Sequence, residues 1–177
     1  MFFIPGIAIT IATFPGVIVH ELAHQLFCRI YKVPVFEVVY FRVGNPAGYV
    51  VHEVPQNKLQ TIMISIGPFF LNTIIGALIA LPAAMAVFKF DNAGPLDYLL
   101  MYLGVSIAMH AFPSTGDANS IWEMMKREDT RWWVKLIGYP VVGLIYLGSI
   151  GSFVWLDLIY GIGVAIGLPN LIVYLLA

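Results

Sequence analysis

In a chain of 177 residues, 60% are hydrophobic, only 11% are charged, and the mean hydropathy is +0.87. A soluble domain carries roughly 25% charged residues, so this chain has too few to coat a soluble surface, and its length suits a single domain. A net charge of −1 with no basic face argues against nucleic acid as a partner, and the single cysteine, Cys28, excludes an intrachain disulfide and a Cys-based zinc cluster.

Met1–Val19 is uncharged and continues into a largely apolar stretch ending near Tyr31. No Lys or Arg precedes it and no small-residue cleavage site follows, so it reads as a retained first span, not a signal peptide. Within it stands His20-Glu21-Leu22-Ala23-His24. On a helix, positions i and i+4 share one face, so both imidazoles can reach a single zinc ion. Glu21 projects beside them, where it can accept a proton from a zinc-bound water. Val17–Tyr31 contains no Gly or Pro, which suits the helix this pattern needs. Ionisable residues in spanning helices are costly and mark functional sites. Three within five residues point to a metal.

Val35–Val43 is rich in β-branched and aromatic residues, Gly44–Gly48 has turn chemistry, and Tyr49–Val54 is a second strand-like run. Together they predict a β-hairpin. A bare backbone edge in hydrocarbon is costly, so the hairpin is expected to be covered or to lie in a wet cavity. Leu59–Phe88 contains no ionisable residue and Tyr98–Gly116 only His110, so both read as spans. Asp117–Lys126 reads as a short amphipathic helix. Leu136–Leu156 and Leu158–Ala177 are apolar and separated by Asp157, a residue expected to mark a helix junction, a structural hydrogen bond or a lateral gate. Gly161, Gly163, Gly167 and Pro169 predict a break in this tail, giving either one long helix with a trailing segment or two tightly joined helices.

Eight of the nine basic residues lie on one side of these spans: Arg29, Lys32, Arg42 and Lys58 after the first, and Lys126, Arg127, Arg131 and Lys135 after the third. Lys89 alone lies between the second and third. The positive-inside rule makes the populated side cytoplasmic, with the N-terminus outside and His20 and His24 toward the cytoplasm.

Catalytic zinc keeps three protein ligands and an open position. The candidates for the third ligand are His52, Glu53, His110 and Asp117, together with the remaining carboxylates. Asp117 is favoured because it follows the third span on the same side as the two histidines. His110 lies two turns deeper, and His52 sits on the hairpin.

Three blocks resemble the site-2 protease family of intramembrane metalloproteases: His20–His24 on an apolar helix, Gly67-Pro68-Phe69-Phe70-Leu71-Asn72 in the next span, and His110-Ala111-Phe112-Pro113-Ser114-Thr115-Gly116-Asp117-Ala118. The hairpin with Gly48-Tyr49-Val50 also fits, and the resemblance covers residues 14–120. The chain departs from the family's pattern in having His110 for Asn, Ala118 for Gly, and a Pro-to-Asp interval one residue shorter.

The resemblance implies an all-α polytopic membrane protein: a three-helix catalytic core with a small β-hairpin after the first helix, plus one or two C-terminal membrane helices. Residues 1–177 would form one membrane-embedded metalloprotease domain, with a core at 1–129 and accessory helices at 130–177. It further implies one Zn2+ per chain held by His20, His24 and Asp117, Glu21 as general base, and Asn72 near the substrate backbone or developing oxyanion. The implied partners are the lipid bilayer and a transmembrane protein substrate, which would unwind locally and add as a strand to the hairpin edge. Two other readings compete. A protease-like scaffold or regulatory binding protein without turnover has no need of Glu21, and a metal transporter needs ionisable residues along a path across the membrane, which the second span lacks.

Overall fold

A computed structural model of the chain describes residues 6–88, 90 and 92–176, with the side chains of 173 and 176 left aside. The first five residues of the expected first span, Lys89 and the terminal Ala177 lie outside the described residues. The elements run α1 (Gly6–Ala12), α2 (Phe14–Ile30), β1 (Val35–Val39), β2 (Tyr49–His52), α3 (Lys58–Phe88), α4 (Pro95–Met109), α5 (Thr115–Lys126) and α6 (Trp132–Gly151). A 3-10 turn (Ser152–Val154), α7 (Leu156–Ile162), a π-helical turn (Gly163–Gly167) and α8 (Leu168–Leu176) complete the chain.

The long α3 is the hub against which α2, α4, α5 and α8 pack. Its face toward α4 is made of small residues, so the backbones approach closely. A Cβ added at Gly76 would lie 2.8 Å from the Gly104 carbonyl, and one added at Gly104 would lie 2.7 Å from Ala80 Cβ. A larger cluster of Ile121, Met124, Met125, Val142 and Ile145 joins α5 to α6. Cys28 is fully buried beside Val33 and Ile64, the small apolar packing residue its context suggests.

Among the described residues, two helices are long and apolar enough to cross a membrane, Lys58–Phe88 and Trp132–Val154, with a third if α1 and α2 count as one broken span. Their outer faces carry apolar side chains: Ile74, Leu78, Leu136, Leu144, Leu147 and Ile150 are each more than half exposed. One expected span is broken, and another needs correction. The first span is not straight, because α1 meets α2 at 79° and Pro15 opens α2. The third expected span stops at Met109, and its 15 residues reach about 22 Å, short of a hydrocarbon core of about 30 Å. The chain leaves the helix there because Pro113 favours extended backbone before it.

The hairpin is present with shorter strands than expected. β1 and β2 pair antiparallel, Val38 opposite Val50 and Val39 opposite Tyr49, with an irregularity between Val35 and Glu37. α2 hands over to β1 through a Schellman turn. Lys32 takes φ 57°, the Val33 N–H donates to the Cys28 carbonyl and the Lys32 N–H to that of Arg29.

The break in the tail falls earlier than its glycines suggested. Trp155 adopts φ 65° after the 3-10 turn and separates α6 from α7, so Asp157 opens a new helix. Gly163–Gly167 only widens that later stretch into a π turn.

Candidate metal centre

α2 brings His20, Glu21 and His24 to one face, all more than nine-tenths buried. Its first turn lacks a side-chain cap of its own. Ser106 of α4 supplies one from outside: its hydroxyl accepts from the Gly16 N–H at 3.0 Å and donates to the Thr13 carbonyl at 2.9 Å. A Cβ at Gly16 would sit 2.0 Å from the Ser106 carbonyl, so glycine is required at this crossing.

Each imidazole is fixed at Nδ1 by a backbone carbonyl. His20 donates to the His110 carbonyl at 2.7 Å and His24 to the Ile64 carbonyl at 2.9 Å. A carbonyl only accepts, so both rings carry their proton on Nδ1, and neutral rings then present Nε2 as a bare lone pair. The two Nε2 atoms face each other at 3.1 Å. Two lone pairs at that separation repel unless a cation lies beside both. The spacing is close to the ~3.3 Å between nitrogens bound about 2.05 Å from a tetrahedral zinc.

The Ile64 carbonyl is free to serve His24 because of Pro68. In an α-helix the carbonyl of residue 64 would accept from the N–H of residue 68, and proline has none. Gly67 lets α2 come near: a Cβ there would fall 2.2 Å from the Phe27 ring. The Gly67-Pro68 pair thus does more than bend α3, since it releases an acceptor and admits its donor.

Asp117 completes the group. One ligand atom from each of His20, His24 and Asp117 lies within 4.8 Å of the others. Asp117 is the third residue of α5, in a capping box with Ser114. Its Oδ2 accepts from the Ser114 N–H at 2.8 Å and the Ser114 hydroxyl at 2.7 Å. Oδ1 is left to face His24 Nε2 at 3.6 Å. Burial pushes the Asp117 carboxyl up from its ordinary range, while His20 and the two Ser114 hydrogen bonds pull the other way. Two neutral imidazoles and a carboxylate converging on one point, with Glu21 alongside, fit zinc as a donor set.

The other candidates fall elsewhere. His110 gives its carbonyl, not its ring, to the group. Its Nε2 donates to Thr13 Oγ1 at 2.8 Å, because the Thr13 proton is spent on the Ile9 carbonyl at 2.7 Å. His52 lines the same cleft as the three clustered residues, with Nδ1 donating to the Glu53 carbonyl at 2.8 Å. Glu53 is exposed and is not among the clustered residues. Asn72, expected near the substrate backbone or developing oxyanion, is fully buried. Its amide donates to the carbonyls of Ile107 at 3.3 Å and His110 at 3.2 Å, so it braces the carbonyl that orients His20.

Two clefts meet at Glu21. One, of about 510 Å3, runs between β2 and α5 and is lined by Tyr49, Val50, His52 and Ser120 with the three clustered residues. The other, of about 280 Å3, opens toward the start of α7 and is lined by His20, Glu21 and Asp157. Gly48 borders both, and a Cβ there would lie 2.6 Å from Glu21 Cγ. Sequence reasoning passed over Ser114, although Ser-x-x-Asp is the capping-box spacing. The His110 and Ile64 carbonyls had no signal of their own, since any residue supplies one.

A family model, DUF3267, described as "Putative zincin peptidase", matches residues 13–131. The match spans α2, the hairpin, α3, α4 and α5, and so includes His20, Glu21, His24 and Asp117. No curated protein and no solved structure matches the chain.

Proposed function

The chain belongs to this zincin peptidase family, and on that premise we propose that it is an intramembrane zinc metalloendopeptidase of the site-2 protease type, cutting peptide bonds in or near transmembrane segments of membrane proteins. The family implies zinc. The finer reading is one ion per chain, held by His20 and His24 through Nε2 and by Asp117 through Oδ1. The observation that carries it is the pair of Nδ1–H bonds to the His110 and Ile64 carbonyls, which aims both lone pairs at one point beside Glu21.

When bound, zinc would supply Lewis-acid polarisation of the scissile carbonyl and a more acidic water. Glu21, beside that point, would serve as general base and then as proton donor to the leaving amine. The cleft between β2 and α5 lets an extended segment add along β2 and present its carbonyl beside Glu21. Ser114 and Asn72 act by positioning, the first through Asp117 and the second through the His110 carbonyl.

Membrane placement rests on the apolar outer faces of α3 and α6 and on the basic residues, whose two clusters stay together although α4 alone is too short to span, because Lys58 at the start of α3 bonds Asp129 after α5 at 2.8 Å. On this reading the N-terminus lies outside and the site toward the cytoplasm, with the helices after residue 129 as accessories to one embedded domain. Glu21→Gln tests the enzymatic reading. The variant should keep about one zinc per chain and lose cleavage of single-span test proteins in reconstituted vesicles. Unchanged processing by Glu21→Gln would sink the peptidase reading in favour of a scaffold.

A further inference from the structure

Asp157 is the sole acidic or basic side chain between Leu136 and the C-terminus. It lies beyond the family match, which ends at residue 131, so the family says nothing about it. A carboxylate in so apolar a stretch is costly and calls for a use. Its place in the fold supplies one. The turn at Trp155 starts α7, which packs on α4, and Asp157 lines the smaller cleft together with Glu21 and His20. Ser149 and Ser152, from the end of α6 and the turn, line the same wall. Asp157 is half-buried, and its Oδ1 accepts from the Leu158 N–H at 2.8 Å. Among the described residues the carboxylate has no ion-pair partner, and no Lys or Arg lines this cleft.

We infer that Asp157, with Ser149 and Ser152, forms a cation-selective substrate subsite on the α7 side of Glu21. The occupant is a single ammonium or guanidinium group, from a Lys or Arg side chain or a free amino terminus. Zinc held by His20 would offset the charge at the Glu21 end of the cleft, but no Lys or Arg lines it, so at the α7 end the Asp157 carboxylate attracts a basic group and repels an acidic one. The wall is partly shielded from water, which strengthens both effects over those on an open surface. The two hydroxyls accept the donor protons the carboxylate leaves over. A segment lying along β2 and crossing Glu21 reaches this wall with the residues on the far side of its scissile bond. The inference rests on the peptidase reading for its substrate but not for its test, which needs no turnover.

The test uses zinc-loaded Glu21→Gln protein in detergent micelles, a background in which Asp157 is the remaining carboxylate of the cleft. The probes are fluorescent apolar peptides with one Lys, Arg, norleucine or Glu moved through successive positions, each with a free or acetylated amino terminus. At one position Lys or Arg should bind roughly tenfold tighter than norleucine, and Glu weaker still. Asp157→Asn should abolish that preference with zinc content unchanged, Asp157→Glu should retain it, and Asp157→Lys should turn it toward Glu. If the preference instead follows only acetylation, the occupant is the amino terminus. A preference that survives Asp157→Asn, or none at any position, overturns the subsite. Charge-selective binding by a wild-type protein that cleaves nothing would overturn the peptidase reading and leave the subsite standing. Cleavage blind to charge would do the reverse.

Discussion

Pro68 determines which nitrogen of His24 carries the proton. It has no N–H for the Ile64 carbonyl, and that carbonyl takes the Nδ1–H of His24 at 2.9 Å instead. Pro68→Ala restores a competing donor within the helix, so His24 loses its anchor. Zinc affinity, read by competition with a chelator, should fall roughly 10–100-fold, the usual cost of losing a partner that orients a metal ligand. Pro82, the second proline inside α3, is the control, because Pro82→Ala touches no carbonyl bonded to His24. Equal losses in both variants would mean the effect is general helix straightening.

Asp117 and Ser114 should differ in degree. Asp117→Ala removes a ligand and should leave the purified protein with clearly less than one zinc per chain by elemental analysis. Ser114→Ala keeps the ligand and the backbone N–H bond to its Oδ2 but removes the hydroxyl bond and uncaps α5, at a cost of about 1 kcal/mol to the helix. It should bind zinc more weakly without losing it at saturation. Full zinc retention in Asp117→Ala would move the third ligand elsewhere, with His52 next by position.

The buried Asp117 carboxyl carries a pH signature in chelated protein. Its folded pKa lies above the ordinary carboxylate range because burial disfavours the charge. Its stabilising contribution is therefore complete below the unfolded pKa and is lost as pH rises through the folded one. Without metal, Asp117→Asn should raise the melting temperature at neutral pH, and the gain should vanish on acidification into the ordinary carboxylate range. With zinc the sign reverses, because the ion needs the carboxylate and the variant loses it. Thermal unfolding of both proteins, with and without chelator, reads this out.

Gly48 lies against Glu21, so Gly48→Ala should disturb the base while leaving the metal. The added Cβ falls 2.6 Å from Glu21 Cγ, and displacing a catalytic group by about 1 Å costs on the order of a hundredfold in rate. Cleavage should drop by that order with zinc content unchanged. Gly44→Ala in the same loop meets only the Arg42 side chain, at 3.7 Å, and should behave as wild type.

The strand reading of substrate binding has its own check. Val50 lies on β2 and lines the larger cleft, so Val50→Pro removes a backbone donor from the strand and should abolish cleavage while zinc stays bound. Unchanged cleavage in a folded Val50→Pro protein would count against strand addition.

By itself, the sequence determined the helix that carries His20, Glu21 and His24, because the i, i+4 spacing is local and needs nothing beyond helix geometry. It also determined the hairpin, through β-branched runs flanking turn residues, and the apolar character of α3 and α6. The tertiary structure alone decided the rest, because each remaining feature depends on atoms far apart in the chain. The tautomers of His20 and His24 are set by carbonyls 90 and 40 residues away, and a carbonyl leaves no trace in residue identity. Which of the candidates would meet the histidines followed from the early end of α4, which swings Ser114 and Asp117 back over α2 and leaves the His110 ring tied to Thr13. Asn72 was legible only as a candidate near the substrate, and packing showed that its amide braces the His110 carbonyl. The position of Asp157 depended on the left-handed turn at Trp155, a conformation imposed on a bulky residue by its surroundings, not favoured by its own propensity.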